Sequence, residues 1–226
     1  MSHPHPDRQR ALLDQLPELA RAALLEGFRP RRLVKGEMLG APHGQRDSVF
    51  ILRAGRIRVF LAFDDKEYTL AFLEPGDLYS THSRAYLQAV GDSEVLVAET
   101  AAVMGRLTSL PGATPALLRV LGAALGNSMR IIEDLAFRDV EGRLARFLDG
   151  MLARKGVAQG GQWHLALDLT TEDIAHLLGT TRQTLSSLLN RLAREGILSR
   201  AGNGAFVVHR IDLLRARSQA PQVSAG

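Results

Sequence analysis

Thr170-Thr171-Glu172-Asp173-Ile174-Ala175-His176-Leu177-Leu178-Gly179-Thr180-Thr181-Arg182-Gln183-Thr184 is the stretch that decides the fold. Thr170 is placed to cap a helix from Thr171 to Leu178, with Asp173 three residues on as the capping-box partner. Ala175 and Gly179 are small where two helices must cross closely. Gly179-Thr180 is a short glycine-bearing turn of the kind helix-turn-helix units use. The next helix, Thr181 to Glu195, gathers Leu185, Leu188, Leu189 and Leu192 on one face. Its opposite face opens with Thr181, Arg182, Gln183, Ser186 and Ser187, side chains suited to base edges and phosphates. Gly196 to Arg200 and Ala205 to Val208 then flank Gly202-Asn203-Gly204, a hairpin read as a wing. A helical hairpin without a ligand is the bland alternative. Turn spacing, wing and charge together favour double-stranded DNA.

The charge is uneven along the chain. Met1 to Arg138 carries 17 basic and 16 acidic residues, whereas Asp139 to Gly226 carries 11 and 8. Within the second part, His176 to Arg217 has 7 arginines against only Glu195 and Asp212. A segment of net +5 suits a polyanion.

Upstream, Glu141 to Leu152 reads as a helix with Leu144, Phe147, Leu148 and Met151 on one face, and Gly160-Gly161 as a loop. Before it, Leu118, Leu121, Leu125, Ser128, Ile132 and Leu135 follow heptad spacing, interrupted by one hydroxyl. This predicts a long helix that pairs with a second copy. The alternative is a helix lying on its own domain's core. Gly122 and Gly126 favour pairing, because glycine costs helix stability but allows close approach.

From Phe28 to Glu99 the texture is that of short strands. Val49–Leu52, Ile57–Leu61, Tyr68–Leu73, Ala85–Val90 and Glu94–Ala98 are separated by turn residues such as Glu74-Pro75-Gly76-Asp77. Regular short strands predict a sandwich or barrel. Leu12 to Leu25 reads as a leading helix.

The 226 residues are 46% hydrophobic and 23% charged, which suits an ordinary globular protein. No apolar run approaches the ~20 residues of a membrane helix, and the polar start is unlike a signal peptide. The cytoplasm is therefore the expected compartment, with no membrane partner. The chain has no cysteine, which excludes disulfides, thiolate-bound clusters and thiol nucleophiles. No phosphate loop, metalloprotease motif or nucleophile elbow is present, so no enzyme is expected. His164, His176 and His209 are scattered and read as surface or satisfied histidines, and Trp163 as core or a domain contact.

Thr171–Ala175, Leu178–Thr184 and Leu192-Ala193-Arg194-Glu195-Gly196-Ile197-Leu198 look like the winged helix-turn-helix of the CRP/FNR transcription regulators. Leu135-Ala136-Phe137-Arg138-Asp139-Val140 resembles that family's hinge. The resemblance covers nearly the whole chain. It implies an α+β protein: an N-terminal double-stranded β-helix (the β-roll of cyclic-nucleotide-binding domains), a long dimerisation helix and a C-terminal winged helix-turn-helix. The expected divisions are 1–112 for effector sensing, 113–138 for the dimer helix and hinge, and 139–226 for DNA binding. It further implies a homodimer on a palindromic promoter site, working with RNA polymerase. Arg182, Gln183 and Ser187 occupy the base-reading positions. The best-known members carry Glu and Arg where Gln183 and Ser187 stand, so base preference there differs. Arg182 on guanine is worth ~1–3 kcal/mol of discrimination.

The family's cyclic-nucleotide members use a Gly-Glu pair, a loop and an Arg-Ser or Arg-Thr pair. Here the stretch is Gly76-Asp77-Leu78-Tyr79-Ser80-Thr81-His82-Ser83-Arg84-Ala85. Asp77 is one methylene short, Ala85 lacks the hydroxyl and the loop is short, although Arg84 remains as an alternative phosphate ligand. The same stretch is more similar to the family's carbon-monoxide-sensing haem activators, as are Arg58 to Leu70 and the helix segment from Leu121 to Leu135. That resemblance implies a b-type haem (haem b) with His82 as axial ligand and CO as effector. It implies Leu121, Gly122 and Leu125 on the helix facing the haem. Relatives place a cysteine where Ser80 stands, so no thiolate can ligate ferric iron here. They draw the second ligand from the N-terminus. Here the candidates are the α-amine of Ser2 after Met removal, and His3 or His5.

Overall fold

Four consecutive apolar residues, Val49 to Leu52, set the layering of the N-terminal half. A strand with one wet face alternates, so an unbroken apolar run requires cover on both faces. In the computed structural model, which describes residues 17–40, 47–64, 66–83, 85–110, 112–202 and 204–219, that cover is present. The chain begins with α1 (Glu18–Leu25), β1 (Arg29–Leu33), β2 (Met38–Gly40), β3 (Ser48–Ala54) and β4 (Ile57–Phe63). It continues with β5 (Lys66–Leu73), β6 (Leu78–Ser80), β7 (Tyr86–Ala89) and β8 (Ser93–Glu99). These strands form two antiparallel four-stranded sheets, ordered β1-β8-β3-β6 and β2-β7-β4-β5.

Phe50 and Leu52 point between the sheets with Leu33, Ile57, Val59, Leu87 and Val95. Val49 and Ile51 point the other way, onto a helical layer that includes Leu24 and Val103. Two of those helices follow the strands directly: α2 (Thr100–Ser109) and α3 (Ala113–Phe137). The first turn of α3 is fixed by Ala113 and Ala116, both fully buried in this layer. Further along α3 the apolar residues are bare: Leu118, Leu121, Leu125, Met129, Ile132 and Leu135 are 46–64% exposed. The seam read from the sequence therefore does not lie on the helix's own domain.

The chain forms two compact units, Met1–Ser128 and Met129–Gly226. The second contains the end of α3, then α4 (Val140–Lys155), β9 (Val157–Gln159), β10 (Gln162–Ala166), α5 (Thr171–Leu177) and α6 (Arg182–Arg194). It closes with β11 (Leu198–Gly202), β12 (Ala205–Val208) and α7 (Ile211–Gln219). The four strands pair in the order β11-β12-β10-β9. Leu144, Leu148, Leu165, Ile174, Leu185, Leu189, Leu192, Val208 and Leu214 form one core shared by every helix of this unit from α4 onward. The architecture is α+β: an N-terminal β-roll, a long helix and a C-terminal winged helix-turn-helix.

The five expected strands appear as β3, β4, β5, β7 and β8. In the first unit three further strands, β1, β2 and β6, escape the sequence pattern for clear reasons, as do β9 and β10 in the second. Strand β1 reads Arg-Pro-Arg-Arg-Leu and buries only Leu33, and β2 and β6 are three residues long. Helix α2 lies where no element was expected. Gly160-Gly161 is a tight hairpin turn joining β9 to β10, with both φ angles positive (59° and 77°), which glycine adopts without strain. The start of the leading helix lies outside the described residues, and within them α1 begins at Glu18.

Candidate DNA interface and effector loop

The helix-turn-helix is held by its caps. Thr170 Oγ1 accepts from the Asp173 N–H at 3.1 Å, and the Thr170 N–H donates to Asp173 Oδ2 at 2.8 Å, completing the capping box. At the turn Gly179 takes φ +61°, and the Thr180 N–H reaches back to the Ala175 carbonyl at 3.0 Å. Thr181 then caps α6, its hydroxyl accepting from the Thr184 N–H at 3.1 Å. Leu185, Leu189 and Leu192 are buried beneath α6, which turns Arg182, Gln183 and Ser187 outward and leaves Ser186 half-buried. The structure thus brings these four together at the start of α6, whereas the hydroxyl of Thr181 is committed to the cap. Among the described residues nothing bonds to the side chains of Arg182 or Gln183. The first turn of α6 has no acidic residue, so its positive end is uncompensated, as a phosphate-facing helix requires.

Two further supports were not legible in the sequence. Arg200 on the wing strand β11 donates to Thr171 Oγ1 at 2.7 Å, strapping the wing to the start of α5. At the far end of α6, Arg217 of α7 donates to Glu141 at 2.8 Å and to Glu195 at 2.6 Å, while Arg191 also bonds Glu141. These partners lie 22 to 76 residues apart, beyond any local spacing rule. His209 is satisfied by Ser199 at 2.9 Å, and Trp163 packs half-buried against the core, both as expected.

In the first unit, His82 sits in the turn between β6 and β7. Thr81 pins this turn to the start of β3, donating from its hydroxyl to the Ser48 carbonyl at 3.1 Å and accepting from the Ser48 N–H at 3.0 Å. The imidazole is 57% exposed and held at both nitrogens: Nδ1 lies 2.9 Å from Ser80 Oγ, and Nε2 lies 3.1 Å from Asp47 Oδ1. Asp47, 35 positions away, was not legible as a partner. Its side chain is 60% exposed, and a polar contact so open to water is weak. The donor chemistry therefore fits an iron-binding imidazole. Nε2 is released by losing a weak partner, and Nδ1 keeps a hydroxyl that can accept its proton. Tyr79, on the adjacent strand, is no competing phenolate, because burial pushes its pKa up, opposed only in part by Ser83.

Asp77 has a local role. Its Oδ2 accepts from the Glu74 N–H at 2.8 Å, closing the turn before β6. Leu121 and Leu125 are exposed on α3, and a Cβ at Gly122 or Gly126 meets nothing within 4 Å. Arg84, Ser2, His3 and His5 lie outside the described residues. Among those described, no helix is long and apolar enough to cross a membrane.

This arrangement of β-roll, long helix and winged helix-turn-helix defines a class of effector-linked DNA-binding regulators, and comparison with known proteins agrees. Residues 142–217 match the Crp-like helix-turn-helix domain. The solved structure of a CooA mutant from Carboxydothermus hydrogenoformans is 36% identical, with a TM-score of 0.84, over 93% of this chain and 96% of that one. The reduced CO-sensing protein from R. rubrum is 33% identical, with a TM-score of 0.50, over 88% of this chain and 93% of that one. The CRP-like cAMP-activated global transcriptional regulator of Mycobacterium tuberculosis is 29% identical over 194 residues, 82% of this chain and 87% of the relative. The chain belongs to the CRP/FNR family of DNA-binding transcription regulators, which are not enzymes, and within it resembles CooA.

Proposed function

We propose that this regulator is a homodimer switched by a diatomic gas, CO first among them, through a b-type haem ligated by His82. One observation carries the reading: His82 stands on a tethered turn with Ser80 on one ring nitrogen and a weak, replaceable partner on the other. If haem is bound, His82 would hold its iron through Nε2, and the ferrous iron would supply a binding site for a diatomic gas. His82 holds its proton on Nδ1, toward Ser80, when Nε2 serves as ligand. The Ser2 α-amine, His3 or His5 would be the second group to hold the iron, given up when the gas binds. Leu121, Gly122 and Leu125 line the helix face that senses the change, and the exposed stripe of α3 pairs the two copies. Arg182, Gln183, Ser186 and Ser187 read the operator, with Thr181 holding the start of α6. The working division is 1–112 for sensing, 113–138 for the dimer helix and hinge, and 139–226 for DNA. In this reading the protein acts in the cytoplasm, with RNA polymerase, at a palindromic promoter site.

Absorption spectra of the protein as purified, reduced, and reduced with CO test the proposal. The expected result is a Soret band that sharpens under CO and is lost in His82→Ala. A protein that takes up no haem and binds a cyclic nucleotide, with sensitivity to Arg84→Ala, overturns it. The commitment of Asp77 to its own turn weighs against that outcome.

A further inference from the structure

The second unit contains an arginine whose position the DNA-reading surface does not explain. Arg143 lies on the first turn of α4, just past the hinge, and is half-buried. Its Nη1 donates to the Arg138 carbonyl at 2.8 Å, and its Nε donates to the Leu178 carbonyl at 2.9 Å. Both acceptors are helix-end groups. Arg138 follows the last residue of α3, its N–H still bonded to the Asp134 carbonyl, and Leu178 is the C-cap of α5. Carbonyls at helix C-termini have no partner within the helix and carry partial negative charge. One planar guanidinium thus satisfies two helix ends at once, a task that suits its rigid fork.

The two ends are functionally distinct. Arg138 lies at the junction between α3 and α4, which the family resemblance reads as the hinge. Its side chain is tied to Asp134 at 3.0 Å and also bonds the Ser218 carbonyl at the end of α7. Leu178 lies three residues before Thr181, the cap of α6. We infer that Arg143 is a positioning residue that clamps the hinge to the helix-turn-helix turn, so that the entry of the recognition helix follows the backbone setting of Arg138. Rotation of the hinge about residues 138–140 then either carries the turn with it or breaks a charge-assisted bond. The inference rests on the family's DNA binding and is independent of which effector is bound.

The test uses the full-length protein and two readouts. Hydrogen exchange is followed at the amides of Arg138, Leu178 and Thr180. DNA affinity is measured on a palindromic operator selected from random DNA with the unaltered protein. Arg143→Ala is expected to speed exchange at both ends about tenfold and to weaken operator binding by a similar factor. Arg215→Ala, which removes an exposed α7–α4 ion pair with Asp149, is expected to change neither. Arg143→Lys keeps a cation without the flat fork and should fall between the alanine variant and wild type on both readouts. Wild-type exchange at either end in Arg143→Ala overturns the clamp, as does faster exchange spread evenly over the unit. If the alanine variant does not fold, the lysine variant decides, and wild-type values there overturn the inference. The exchange readout needs no DNA, so it separates failure of the clamp from failure of the functional reading.

Discussion

The two ends of the molecule differ in how much of their structure one chain supplies. The DNA-reading unit is complete in itself: its caps are filled, its leucines buried and its helix-end carbonyls partnered. The N-terminal side has an exposed candidate ligand, and the long helix that follows it carries seven large apolar side chains about half open to solvent. A single chain would not leave such a stripe bare at no cost, since burying a Leu or Ile is worth ~1.5–3 kcal/mol. The contrast sets a reading head that is a finished part against a helix face that, in the proposed dimer, a second copy would complete.

Breaking the stripe should have the largest effect. In the proposed dimer, Leu125→Glu would put an unpaired charge into each side of the paired helices, at about 3–5 kcal/mol for a buried unpaired charge. The expected outcome in analytical ultracentrifugation is a monomer whose second unit still melts as a folded domain. A dimer that persists would show that the exposed helix face is not the contact.

Next comes the finished end. Leu189→Ala removes a side chain that is 1% exposed beneath α6 and should cost about 2–5 kcal/mol, read as a lower urea midpoint for that unit. Thr181→Ala removes the α6 cap and should cost about 1 kcal/mol, with a matching fall in operator affinity. If Thr181→Ala weakens DNA binding without changing stability, the hydroxyl touches DNA rather than the helix end.

The smallest effect concerns Glu133 near the end of α3. Arg146 first, and Arg138 after it, hold its carboxyl below its ordinary value of 4.5. A lowered carboxylate adds stability that is present above that ordinary value and lost as the pH falls through the folded one. Glu133→Gln should therefore lower stability slightly at neutral pH, leave it unchanged at the acid end, and so flatten the acid side of the profile. Urea titrations across the acid range read this directly.

The sequence carried the helix-turn-helix and the wing, because their signals are local, but not β9, β10 or α7. A cap three residues from its partner, a glycine in a turn and leucines on one helical face are all visible within a short window. The same holds for the α3 seam and for the five strands with apolar runs. What escaped was non-local or weakly apolar. Asp47 against His82, Arg217 against Glu141 and Arg143 between two carbonyls join residues that only the folded chain brings together. Strand β1 escaped because it is basic and carries a proline.

That strand has a consequence of its own. Among the described residues β1 forms one border of its sheet, hydrogen-bonded only to β8, and a border is a row of backbone groups open to another strand. Pro30 removes one N–H from the row, and the exposed Arg29 and Arg32 repel a like-charged copy. Growth of the sheet from chain to chain is thereby discouraged. The apolar stripe of α3 is a surface on which pairing, as proposed, would stop at two, whereas a bare sheet border has no natural end to its growth.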